Sequence, residues 1–91
     1  MGHGKRIRQS FPRVFVIPPE SVVPGELEDL VLQPSDVAEV MARLREESGW
    51  HYECKAMHAL KSNLVFVLES GQEFPGKTFG IPCTLAVHHF S

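Results

Sequence analysis

Five histidines and two cysteines are the residues whose types and spacing suggest chemistry in this chain. His51, Cys54 and His58 stand three and four residues apart, and Cys83, His88 and His89 offer further ligands. A zinc site needs four such groups converging tetrahedrally, with bonds of about 2.0–2.3 Å. On a strand, His51 and Cys54 have opposite parity and point to opposite faces, while Cys54 and His58 lie about 13 Å apart at ~3.3 Å per residue. Only a helix over residues 50–58 gathers the three on one face. The chain has no C-x-x-C pair, and His3 sits at the loose start. The sequence therefore predicts no metal and no cofactor. The cysteines are expected in the core and the histidines at edges or on the surface.

Nucleophilic catalysis fares no better. Cys54 or Cys83 paired with His51, His58, His88 or His89 would make a Cys–His couple. Neither cysteine falls at a helix N-terminus, where the dipole would favour the thiolate. Gly76-Lys77-Thr78 resembles the end of a phosphate-binding loop, but Gln72 replaces the glycine required four residues earlier and no helical pattern follows. A chain of 91 residues also has little room for a pocket of a few hundred Å³ beside its core. No enzyme is predicted.

Charge is the more informative signal. Residues 1–19 carry Lys5, Arg6, Arg8 and Arg13 and no acid, whereas all eleven acidic residues follow, so the net charge of −2 hides a basic start on an acidic body. Lys5, Arg6, Arg8 and Arg13 interleaved with Phe11 suit phosphate neutralisation and base stacking, or contact with an acidic protein partner. Glu20, Glu26, Glu28, Asp29, Asp36, Glu39, Glu46 and Glu47 crowd the first half of the body and would repel a polyanion. A myristoylation signal fails at its sixth residue, Arg6. The longest apolar run, Leu64 to Leu68, is far short of the ~20 residues of a membrane helix. With no signal-peptide core near Met1 and only two cysteines, free thiols in an intracellular, reducing compartment are expected.

The elements that position these residues follow from periodicity and punctuation. Residues 1–10 read as a flexible basic arm, and 11–91 as a single α+β domain. Arg13 to Ile17 is a β-branched and aromatic run stopped by Pro18-Pro19, a strand at or near a sheet edge. Pro24-Gly25 marks a turn, and Leu27 to Leu32 fits either a short strand or one helical turn. Residues 35–48 form the clearest element. Val37, Val40, Met41 and Leu44 recur at i, i+3, i+4 and i+7, Ser35 or Asp36 can cap the start, and Gly49 sits where a left-handed cap belongs. Trp50, Tyr52, Cys54 and Ala56 then alternate with His51, Glu53, Lys55 and Met57, giving a strand with an aromatic inner face. Lys61-Ser62-Asn63 turns it back into Leu64 to Glu69, and Cys83 to Phe90 alternates as a final strand. Ser70 to Gly80 is irregular.

The fold expected is a small two-layer sandwich, an antiparallel sheet of about four strands covered by one main helix. Its core should comprise Val14, Val16, Val37, Val40, Met41, Leu44, Trp50, Tyr52, Leu64, Phe66 and Leu85. The function expected is a non-enzymatic protein-interaction domain or small subunit of a larger assembly. The alternative is an RNA-binding domain using the basic arm and a sheet face. In either case Lys5, Arg6, Arg8, Phe11 and Arg13 are the contact residues. A protein partner, a possible nucleic acid and no membrane complete the expectation.

Overall fold

The structure, a computed structural model, describes residues 5–73, 78–79 and 82–89. Its strands are β1 (Lys5–Phe11), β2 (Val14–Ile17), β3 (Glu28–Asp29), β4 (Cys54–Leu60), β5 (Asn63–Leu68), β6 (Thr78–Phe79) and β7 (Cys83–His89). One α-helix, α1 (Pro34–Ser48), lies between β3 and β4, and a 3-10 turn, Pro19–Ser21, follows β2. The α+β class and the helix-on-sheet arrangement agree with the sequence expectation. The strands divide into a sheet in the order β3-β4-β5-β2-β6 and a separate ribbon of β1 and β7.

Leu64 to Leu68 decides where the sheet's centre falls. Every residue of that run is buried, including Val65 and Val67, which point away from the main core yet are each only 2% exposed. A continuous apolar run of this kind is characteristic of an interior strand of a sheet covered on both faces. β5 has a neighbour on each side: β4 runs antiparallel through a hairpin, and β2 runs parallel in the register Val14↔Leu64 to Ile17↔Val67. The sheet is therefore mixed rather than antiparallel. A parallel pair needs a long crossover, and the stretch through β3, α1 and β4 supplies it. β2, stopped by Pro18-Pro19 as expected, lies one strand from the edge, with only the two-residue β6 beyond it.

Four local differences from the sequence reading have identifiable causes. Residues 5–10, expected as a flexible arm, belong to β1, which pairs antiparallel with β7 from Lys5↔His89 to Phe11↔Cys83. Two separate terminal segments thus become one ribbon, a long-range pairing that no local pattern announces. The helix starts one residue earlier than expected, at Pro34. Proline's fixed φ suits the first helical position, and Gln33 is the N-cap without a side-chain bond, so neither Ser35 nor Asp36 caps it. Gly49 does close it in the left-handed conformation, φ 71°.

The third difference is a bulge. Cys54 pairs with Leu68 but Ala56 with Val67, so β4 gains a residue on β5 and its alternation shifts. Met57, expected on the outer face, is buried opposite Phe66, and Ala59 is buried opposite Leu64. The fourth is Trp50, expected in the core but 45% exposed. β4 begins only at Cys54, so Trp50 stands in the link from α1, where its N–H donates to Ser48 Oγ at 3.0 Å.

Both sheets share one core. Val40 and Leu44 of α1 are fully buried among Val14, Val16, Leu64, Phe66 and Leu68 of the sheet, Tyr52 of the link into β4, and Phe11, Leu85 and Val87 of the ribbon. Val37 and Met41 border it, as do Leu30 and Leu32 around β3. Tyr52 and Phe66 meet with ring centroids 6.3 Å apart at a tilt of 59°, within the favourable range for aromatic pairs. Leu44→Ala should lower unfolding free energy by about 2–5 kcal/mol. Trp50→Ala, on the surface, should cost less than about 1 kcal/mol. Urea denaturation of the two variants checks this ordering, and equal losses would contradict the placement of Trp50.

Candidate interaction surface

The residues expected to contact a partner do not behave as one set. Lys5, Arg6 and Arg8 fall on the same strand, in register with His89, His88 and Ala86. Arg8 is exposed, and so is Arg13 just beyond β1, whose carbonyl accepts the Leu64 N–H at 3.0 Å. Among the described residues neither arginine has an ion-pair partner. Phe11 is different: it is 0% exposed, packed in the core opposite Cys83. A base cannot stack on it. The basic strand keeps its charges but has no aromatic platform at that position.

The histidines and cysteines are scattered. His51 Nε2 lies 2.7 Å from Glu53 Oε1, both side chains exposed. His58 Nδ1 lies 3.0 Å from Asp29 Oδ1 across the β3–β4 pair, without the alignment of a hydrogen bond. Among the described residues no three His, Cys, Asp or Glu side chains converge as metal ligands. Cys54 and Cys83 are both free thiols. Burial, helped by the charge of Glu69 and opposed by hydrogen bonding with the Ala56 backbone, pushes the Cys54 thiol up from 9.0 to about 11. Burial also raises Cys83, against the opposing pull of Arg43. A raised pKa disfavours the nucleophilic thiolate at both positions.

A surface that the sequence reading did not single out lies along one flank of α1. Its opposite flank is occupied: Arg43 donates to the Pro82 carbonyl at 3.2 Å, holding the helix to the start of β7. On the open flank, Ala38, Met41, Ala42 and Arg45, with His51, line a groove of about 290 Å³. The signal for it was in the sequence. Ala38 and Ala42, at i and i+4, widen the apolar stripe beyond what the core uses.

The chain segment bordering the groove is held by a side chain acting as a strand. The Gln72 amide donates to the His51 carbonyl at 2.9 Å and its oxygen accepts the Glu53 N–H at 2.8 Å. Those are the two bonds a neighbouring strand would make, and the Glu69 N–H to Glu53 carbonyl bond at 3.1 Å continues them. Ser48 Oγ, which also donates to the Leu44 carbonyl at 2.6 Å, fixes Trp50 from the helix side. Trp50 and His51 are therefore presented on a backbone pinned from both directions.

Among the described residues no helix is long and apolar enough to cross a membrane. Compared with protein-family models, with curated proteins and with solved structures, the chain shows no significant match.

The raised Cys54 pKa has a measurable consequence. The folded chain holds a proton that the unfolded chain releases above pH 9.0, so the stability from this group is complete below pH 9.0. It is lost as pH climbs from 9.0 towards about 11. Iodoacetamide should modify Cys54 much more slowly at pH 8 than it modifies the urea-unfolded chain. Cys54→Ala should lose part of the stability decline over that alkaline window. Equal rates folded and unfolded would contradict the burial of this thiol.

Proposed function

We propose that the chain is a non-enzymatic protein-interaction domain, working as a module or small subunit of a larger assembly in an intracellular compartment. The observation that carries this reading is Trp50. It is the only tryptophan in the chain, it is 45% exposed, and its backbone is pinned by Ser48. A large exposed aromatic on a backbone held in place is the kind of residue that anchors protein interfaces, because less backbone freedom remains to be lost on binding. His51 follows it directly and lines the apolar groove on α1, where Ala38 and Ala42 let a partner approach the helix closely.

Two free thiols favour a reducing compartment. The raised thiols and scattered histidines give a catalytic reading no support. Nucleic-acid binding keeps the basic strand but loses Phe11 as a stacking residue.

Affinity purification from nuclease-treated extract of the native host tests this. A protein partner should co-purify in stoichiometric amount with the native chain. Recovery should fall at least about tenfold with Trp50→Ala or Ala42→Glu, a loss of about 1.4 kcal/mol in binding. Both substitutions lie on the surface, and circular dichroism should show the fold retained. Unchanged recovery with both variants would overturn this reading, as would a bound species that nuclease removes.

A further inference from the structure

We propose that β1 is a docking edge for an extended, acidic segment of a partner protein, which adds to the ribbon as a third strand. This rests on the protein-interaction reading and names the chemistry of a partner for a second surface, away from Trp50.

The topology is what brings the charge together. All eleven acids lie between Glu20 and Glu73, so the residues before and after that stretch are free of negative side chains. β1 and β7 come from those two acid-free ends and pair with one another. The ribbon therefore carries Lys5, Arg6, Arg8, His88 and His89 within seven registered positions and no acid. Arg6 and His88 are register partners, as are Lys5 and His89. The rest of the chain bears the opposite sign.

Geometry makes β1 the accessible strand of the two. α1 packs against β7, and Leu85 and Val87 of β7 are buried. Among the described residues β1 and β7 each have a strand on one side only, and it is β7 that α1 packs against. Its burial fades along its length, from Phe11 at 0% to Ile7 at 49%, so both the Ile7 and the Arg8 positions are open. A peptide added to such an edge gains main-chain hydrogen bonds for affinity and reads alternate side chains for specificity. Here the exposed positions are Ile7 and Arg8, on a strand whose sequence also carries Lys5 and Arg6. The complement is a strand with acidic residues interleaved with small or apolar ones.

Charge also disfavours the simplest alternative occupant. Pairing β1 in parallel register with β1 of a second copy would set Lys5, Arg6 and Arg8 each against its own like charge, which is destabilising between directly opposed strand residues. An acidic strand gains what that arrangement loses.

The test uses the full chain, labelled for NMR, and a short synthetic peptide alternating Thr and Glu. An otherwise identical Thr and Lys peptide and an oligouridylate serve as comparisons. The acidic peptide should shift amide resonances of β1 and β7 and leave those of α1 in place, with an affinity that weakens as salt rises. Arg6→Glu with Arg8→Glu should weaken it at least about tenfold, or about 1.4 kcal/mol. Equal binding of both peptides, shifts confined to the α1 groove, or no binding would overturn the proposal. Tighter binding of the oligouridylate at β1 would overturn it in favour of a nucleic-acid surface. Salt-sensitive self-association in sedimentation, abolished by Glu28→Lys with Asp29→Lys, would overturn it in favour of a second copy. None of these results bears on the Trp50 experiment, so this surface and the general interaction reading fail separately.

Discussion

The whole arrangement depends on burying β5 on both of its faces. Leu64 to Leu68 place five apolar side chains in succession, three towards α1 and two away from it, and all are removed from water. At about 1.5–3 kcal/mol for each large apolar side chain, leaving either face open would cost several kcal/mol, a large fraction of a small domain's net stability. β5 also has a strand on each side, which pairs its backbone groups. β4 reaches one side by a two-residue hairpin, but the other side falls to β2, which precedes β5 by some fifty residues. The chain between them must leave the sheet and return, and α1 is the part of that crossover that covers the inner face.

That constraint leaves β1 and β7 outside the main sheet. Phe11, Cys83, Leu85 and Val87 still belong to the common core, so the ribbon is anchored at its Phe11–Cys83 end and along the inner side of β7. The outer strand has no such cover, and it is the strand with the basic residues. Segregation of charge along the sequence thus becomes segregation in space. Acids surround the helix and the β3 side, while the ribbon carries none. Two surface features stand out: a basic edge strand supported from one side, and an exposed tryptophan on a backbone held from both directions, next in sequence to the groove-lining His51.

Much of this was legible in the residues. The helical stripe Val37, Val40, Met41 and Leu44, its glycine stop, the hairpin after Leu60 and the final alternating strand all follow from local periodicity. What local pattern could not reveal was pairing across long sequence separations. Nothing in Lys5 to Ser10 by itself distinguishes a loose arm from a strand, since its partner lies more than seventy residues away. The parallel register of β2 on β5 is hidden for the same reason. The bulge at Cys54–Ala56 is a subtler case, because one extra residue reverses every later parity and moves Met57 from the outer to the inner face. Two errors about the surface came from reading side-chain type alone: Phe11 next to arginines suggested a stacking residue, and Trp50 suggested the core. Exposure at Trp50 and burial at Phe11 depend on where strands begin, which only the assembled fold fixes.

Native-state amide hydrogen exchange tests this account most directly, because it ranks the strands by how they are held. The slowest amides should be those of Val65 to Val67 in β5 and of their β2 and β4 neighbours, opening only with global unfolding. Amides in the Ile7–Arg8 part of β1 should exchange much faster, through local opening of an edge supported on one side. Protection of Ile7 and Arg8 equal to that of β5 would contradict the account, since the basic strand would then lie inside the structure rather than at its edge.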